Sequence, residues 1–195
     1  MDMPLYGNFE MLVQELHLLG TLGFPCDEVS ELLKKLSLTD ADISPYTFFK
    51  PGGYARNLIY HDAKFEALLL CWGPGHVSPV HGHEGEKCWM RVVQGTLEFT
   101  NYKDKSLQNP DDLVVISTMA GGPGFVDGPA YIHKVAHVGS QPAMSLHLYA
   151  RPFAQCDVYD TEVKKRRRVD LAYDTMYGNK VDRSLVTFSQ DKASR

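Results

Sequence analysis

Between Tyr46 and Tyr149 the chain is cut into short apolar runs by glycine, proline and Asx clusters, and this punctuation limits the possible folds more than any other feature. The runs cover residues 56–60, 65–72, 88–93, 96–102, 113–117, 133–137 and 145–149. No helical period separates one run from the next, which disfavours a parallel α/β architecture. Many short strands joined by turn residues predict a β-sandwich or barrel instead.

The N-terminal segment has a different pattern. Phe9, Leu12, Val13, Leu16 and Leu19 recur at spacings of three and four and end at Gly20, which predicts an amphipathic helix. A second helix is expected from Asp27 as its cap, with Val29, Leu32, Leu33 and Leu36 on one face and Lys34 and Lys35 outside. The 195 residues, 44% hydrophobic and 23% charged, suit one compact domain. A chain of this length can bury about 70% of its unfolded surface, so it needs no disulfide or structural metal to fold. We therefore expect a single domain over 1–195, with N-terminal helices over 1–45, a β core over 46–160 and a C-terminal extension over 161–195 packing on that core. Past Pro152 the chain is more polar and its elements are less marked.

Charge and cysteine usage exclude several functions. Lys and Arg total 20 against 24 Asp and Glu, a net charge of −4, which argues against a general nucleic-acid binder. No apolar run reaches the roughly eighteen residues a membrane span requires, so no membrane partner is expected. Met1-Asp2-Met3-Pro4 begins no signal-peptide pattern. Cys26, Cys71, Cys88 and Cys156 form neither a Cys-x-x-Cys pair nor a disulfide framework, which suits a reduced, cytoplasmic protein. The run Lys164-Lys165-Arg166-Arg167-Arg168 matches a nuclear-import or nucleic-acid patch in composition. With Glu162 and Asp170 beside it in an acidic chain, it is better explained as a solvated loop or an edge strand guarded by its own charge.

The chemistry concentrates in Gly75-His76-Val77-Ser78-Pro79-Val80-His81-Gly82-His83-Glu84-Gly85-Glu86-Lys87-Cys88, with Gly95 following. Side chains two apart on a strand share a face, so His81 and His83 can bind one metal ion together. A third ligand has to come from elsewhere, and His133 lies on a separate predicted strand. Three neutral imidazoles suit iron, zinc, copper or nickel and leave positions open for substrate. In isolation, a His-x-His pair is more often two ordinary residues, and Cys88 alone would be a small buried hydrophobe.

The spacing of Gly75, His81, His83, Cys88 and Gly95 resembles the first cupin motif, with Cys88 where that motif usually has a metal-binding glutamate. His133-Lys134-Val135-Ala136-His137 resembles a degraded second cupin motif, with His137 in the usual asparagine position. Adding Tyr54-Ala55-Arg56-Asn57-Leu58, Cys71-Trp72-Gly73 and Ser145-Leu146-His147-Leu148-Tyr149, the chain is similar over about residues 54 to 156 to cysteine dioxygenase of the animal type.

That resemblance implies a mainly β, cupin-type jelly-roll barrel with short N-terminal helices. It implies ferrous iron on His81, His83 and His133, with L-cysteine and dioxygen as substrates and cysteine sulfinic acid as product. The setting would be cysteine catabolism leading towards taurine, with the protein acting as a monomer. Arg56 would hold the substrate carboxylate, Tyr54 would help orient Arg56, and Trp72 and Cys156 would lie near the pocket. Cys88 and Tyr149 would form a thioether cross-link as a protein-derived cofactor, with Ser145 and His147 hydrogen-bonding towards the Tyr149 hydroxyl.

The residues support this independently. Ser145, His147 and Tyr149 alternate with Leu146 and Leu148, so three polar side chains share one strand face, which suggests a cavity lining. Three neutral ligands leave a ferrous ion its full +2 charge, which favours thiolate capture. Arg56 offers a planar, permanently charged fork for a carboxylate. One departure is visible: Ala150-Arg151-Pro152 follows Tyr149 where close relatives have Ser-Pro-Pro. The competing functions are a dioxygenase of 3-mercaptopropionate or cysteamine and a non-catalytic metal-binding cupin. Cysteamine would leave Arg56 without a partner, and Cys88 together with Arg56 favours cysteine over 3-mercaptopropionate.

Overall fold

A computed structural model describes residues 8–106 and 109–182. Helix α1 (Asn8–Thr21) buries Phe9, Leu12, Val13 and Leu16, the stripe expected from the sequence. Helix α2 (Cys26–Lys35) starts one residue before the expected cap, with Pro25 at the N-cap position and no side-chain cap. Asp27 falls instead in the first turn, where its charge complements the helix dipole. A four-residue helix, α3 (Asp40–Ile43), was not expected. It exists because Thr39 and Asp42 form a capping box, and it runs into a 3₁₀ turn at Ser44–Tyr46. Asp42 also accepts hydrogen bonds from the Asn8 backbone and side chain, both at 3.2 Å, tying α3 to the start of α1.

Thirteen strands follow among the described residues: β1 (Ala55–His61), β2 (Glu66–Trp72), β3 (Val80–Gly82), β4 (Lys87–Gln94), β5 (Leu97–Ser106), β6 (Asn109–Gly121), β7 (Val126–Ala130), β8 (Ile132–His137), β9 (Ala143–Ala150), β10 (Gln155–Asp160), β11 (Lys165–Asp170), β12 (Thr175–Met176) and β13 (Asn179–Lys180). They form two sheets, one ordered β13-β12-β1-β2-β9-β4-β7 and the other β11-β10-β3-β8-β5-β6. All seven predicted runs are strands. β3, β7 and β10–β13 are the strands that apolar runs did not announce, being short or polar.

Two apolar clusters use opposite faces of the seven-stranded sheet. Ile59, Leu69, Cys71, Trp89, Leu146 and Leu148 pack against the helical residues Phe9, Leu16, Val29 and Leu33. Leu58, Leu68, Leu70, Met90, Val92 and Tyr149 point the other way and join Leu97, Phe99 and Val135 of the second sheet. The strands of this sheet are thus buried on both faces, giving a double-layered β-barrel with helices against one sheet. Gly95 turns the chain from β4 into β5 at φ 75°, and a Cβ there would lie 2.6 Å from the Ala143 Cβ. Both the backbone angle and the close approach require glycine.

The basic run becomes β11, the expected edge strand, paired with β10 from Gln155↔Asp170 to Asp160↔Lys165. Acids match its charges: Lys164 contacts Asp112, Arg166 contacts Asp111 and Asp157, and Arg168 grips Glu84 and Asp157. The C-terminal extension therefore enters both sheets, through β11 on one side and β12–β13 on the other. Its last part, 183–195, lies outside the described residues.

Candidate metal centre and substrate cavity

His81 is the middle residue of β3 and lies directly opposite His133 of β8. Facing residues of an antiparallel pair share a side, so the register brings these two imidazoles together. His83 sits one residue beyond the end of β3 rather than within it, and the chain turns there through Glu84 and Gly85, both at positive φ. The ring centroids are 5.1 Å apart for His81–His83, 4.7 Å for His81–His133 and 4.5 Å for His83–His133. One nitrogen from each lies within 4.8 Å of the other two, as a shared metal ion requires.

Hydrogen bonding selects which nitrogens are available. His81 Nδ1 is 3.0 Å from the Pro79 carbonyl and His83 Nδ1 is 3.1 Å from the Ala130 carbonyl. A carbonyl can only accept, so both Nδ1 atoms carry the proton and both Nε2 lone pairs are free. His83 Nε2 and both ring nitrogens of His133 are buried with no hydrogen-bond partner. Burial holds all three imidazoles in the neutral form, lowering His81 to about 4 and placing His83 and His133 well below the ordinary histidine range. Orphaned, neutral, convergent imidazole nitrogens are the donor set a divalent transition metal takes.

Beside this cluster runs a polar ladder on the inward face of β9. Trp72 Nε1 donates to Ser145 Oγ at 2.9 Å, Ser145 Oγ is 2.8 Å from His147 Nε2, and His147 Nδ1 is 3.3 Å from Tyr149 Oη. An indole can only donate, so the assignment that matches every buried proton has Ser145 donating to His147 and His147 donating to Tyr149. Burial keeps His147 neutral, in line with that relay. Tyr149 and Cys88 are direct cross-strand partners of β9 and β4. Burial raises both groups well above their ordinary values, so the pair rests as phenol and thiol.

Arg56 enters the same interior from β1. Its backbone N–H donates to Asp174 Oδ2 at 2.9 Å and its carbonyl accepts from the Asp174 N–H at 2.8 Å, so the C-terminal extension clamps the strand that carries it. The guanidinium carbon lies 6.0 Å from the Tyr149 ring and 5.9 Å from the Tyr173 ring, and Nε is buried without a partner. Burial disfavours its charge, but Tyr149, Tyr54 and Glu66 around it raise its pKa above the ordinary value. Tyr54 stacks on Trp72 at 4.4 Å. Phe153 stands edge-on to Tyr149 at 5.1 Å and 6.0 Å from His83, covering the metal cluster. Cys156 is buried and feels the charges of Arg56 and Glu84. His137 binds the Gln141 carbonyl at 2.7 Å and accepts the Gly75 N–H at 3.3 Å.

Many of the residues singled out from the sequence thus meet in the barrel interior. Phe153, Glu66 and Tyr173 were not foreseen. Glu66 did leave a trace, as the one acid inside the apolar run 65–72. Arg151, which follows Ala150 after the tyrosine, is exposed and held at φ 139°, a strained conformation for a residue with a side chain.

Known proteins bear on this arrangement. The family model described as "Cysteine dioxygenase type I" matches residues 9–162. Cysteine dioxygenase type 1 of Danio rerio is 28% identical over 186 residues, covering 91% of this chain and 92% of its own. The proteins of the same name from Rattus norvegicus and Homo sapiens are 28% identical over 156 residues and 26% identical over 159, each covering 78% of both chains. Among solved structures, a conserved protein with a double-stranded β-helix domain from Klebsiella pneumoniae has a TM-score of 0.49 at 14% identity, over 64% of this chain and 92% of its own. The family model spans well over half of the chain, from α1 through the metal cluster to β10, and the chain belongs to the cysteine dioxygenase type I family.

Proposed function

We propose that this protein is a cysteine dioxygenase, adding both atoms of dioxygen to the sulfur of L-cysteine to give L-cysteine sulfinic acid. The observation that carries this reading is the trio His81, His83 and His133, with unpartnered inward nitrogens, beside Arg56 and the Cys88–Tyr149 pair in a chain of this family. The three histidines would hold ferrous iron. When bound, that ion would supply Lewis-acid and redox chemistry for the oxidation of a thiolate by dioxygen.

The remaining work falls to the chain itself. Arg56 receives the substrate carboxylate, and its free Nε donor has no competing partner in the protein. Trp72, Ser145 and His147 fix the Tyr149 hydroxyl through the relay, leaving its own proton directed at the cavity or at Cys88. Phe153 keeps water off the metal cluster. Cys88 and Tyr149, cross-strand neighbours on β4 and β9, would form a thioether bond. Sγ joins a ring carbon next to the hydroxyl, the S–H and C–H hydrogens leave as two protons, and two electrons pass to dioxygen. Cytoplasmic location, a monomeric state and one domain over the whole chain belong to the same proposal. No described helix is long and apolar enough to cross a membrane.

The test is oxygen uptake by anaerobically iron-loaded protein given L-cysteine, with the product identified by mass spectrometry. Cysteine sulfinate in proportion to oxygen consumed is the expected result. Uptake only with cysteamine would keep the iron site and overturn the role of Arg56, whereas uptake only with 3-mercaptopropionate would keep both and overturn cysteine as the substrate. No uptake with any thiol at confirmed iron occupancy would overturn the enzyme reading. The cross-link has its own readout: aged protein sits two hydrogens, about 2 Da, below the sequence mass, and Cys88→Ser abolishes the difference.

A further inference from the structure

Glu66 is a buried acid that none of the steps above uses. It opens β2, is 0% exposed, and faces the barrel interior directly across from Tyr149. Its Oε2 accepts a short hydrogen bond from the Tyr173 hydroxyl, while Oε1 is buried with no partner. Cys88, Tyr149 and Glu66 therefore form one row across β4, β9 and β2, all on the inward face. Tyr173 connects this acid to Arg56, whose guanidinium carbon lies 5.9 Å from the Tyr173 ring. Burial pushes the Glu66 carboxyl up, and the Tyr173 hydrogen bond and the Arg56 charge act against that rise.

Two orphans of opposite kind thus share the cavity: the donor Arg56 Nε and the acceptor Glu66 Oε1. A buried donor and a buried acceptor left open in one interior are matched by a ligand that carries an acceptor and a donor. A carboxylate alone satisfies Arg56 and is repelled by Glu66, and an amine alone does the reverse. An α-amino acid thiol carries both groups.

We propose that Glu66, held by Tyr173, is a specificity-determining residue that offsets the Arg56 charge, so that the cavity selects a thiol bearing both an amino and a carboxylate group over thiols bearing a carboxylate alone. This deepens the dioxygenase reading and rests on it for the identity of the site. Unlike Arg56, Glu66 is not needed to anchor the carboxylate. Its effect falls on the ratio between two substrates, which general loss of folding or of iron leaves unchanged.

The experiment compares L-cysteine with 3-mercaptopropionate in wild type, Glu66→Gln and Tyr173→Phe. It measures kcat/KM by oxygen uptake and, separately, Kd by anaerobic calorimetry on iron-loaded protein. Removing one negative charge from the interior should lower the cysteine-to-mercaptopropionate ratio about tenfold in Glu66→Gln, mainly through a lower KM for 3-mercaptopropionate. Tyr173→Phe, which leaves the carboxylate without its donor, should shift the ratio the same way by about threefold. A ratio within twofold of wild type in Glu66→Gln overturns the proposal, and if that variant does not fold, the same result in Tyr173→Phe does so. Failure of the underlying reading looks different: wild type would consume no oxygen with any thiol, while the Kd ratio would still decide the role of Glu66.

Discussion

Alternate residues of β9 lead two different lives. Leu146 and Leu148 point outward and pack with Phe9, Leu16 and Leu33 beneath the helices. Ser145, His147 and Tyr149 point inward and form a hydrogen-bonded ladder beside three histidines. The same division runs through β1 and β2, where Ile59, Leu69 and Cys71 face the helices while Arg56 and Glu66 face the interior. The outer face contributes stability through apolar area, roughly 1.5–3 kcal/mol for each fully buried aliphatic side chain. The inner face carries charges and unmatched polar atoms that oppose stability until something binds. Alternation lets one sheet do both, since a strand buried on two sides can dedicate each side separately.

If the two faces are separable, substitutions should sort by face. The largest effect expected is at Arg56: Arg56→Ala should lower kcat/KM for cysteine about a thousandfold while iron content, measured by metal analysis, stays near that of wild type. Equal loss of iron and turnover would make Arg56 structural and blur the distinction. Next comes the outer face, where Leu146→Ala should cost about 3 kcal/mol in urea denaturation and leave the specific activity of folded protein unchanged. A fall in activity there would show that the faces are coupled. The smallest effect lies outside the sheet, at Asp42, whose hydrogen bonds from Thr39 hold its carboxyl down to about 2 from an ordinary value of 3.8. A folded-state value below the unfolded one stabilises above about pH 4, and that contribution disappears as pH falls through 2. Asp42→Asn should therefore be about 2 kcal/mol less stable than wild type at neutral pH, and the two acid-unfolding curves should converge between pH 4 and pH 2.

The legibility of the sequence follows the same physical division. Strands that are apolar on one or both faces, such as those carrying 65–72 and 145–149, leave a hydrophobic signature, and they were found. β3 is three residues long and β11 carries four consecutive basic residues, so neither holds an apolar period; their pairing partners create them. The metal cluster was legible because spacing and strand geometry together limit where two histidines can point. His133 needed the resemblance to a family, since nothing local ties it to His81. Glu66 and Tyr173 were missed because their meeting spans 107 positions of sequence. Asp27 was misjudged as a cap because local preference suggested one, whereas the chain enters α2 through Pro25.

The row Cys88–Tyr149–Glu66 has a consequence for how chains of this kind can diverge. Its three members meet only because the strands are counted correctly from their turns. Deleting a single residue of β9 ahead of Tyr149 would rotate Leu148 into the barrel and turn the tyrosine out beneath the helices. Replacing an outer leucine by another aliphatic residue changes little by comparison. Length changes should therefore be confined to the connections between strands, while identity drifts widely within them.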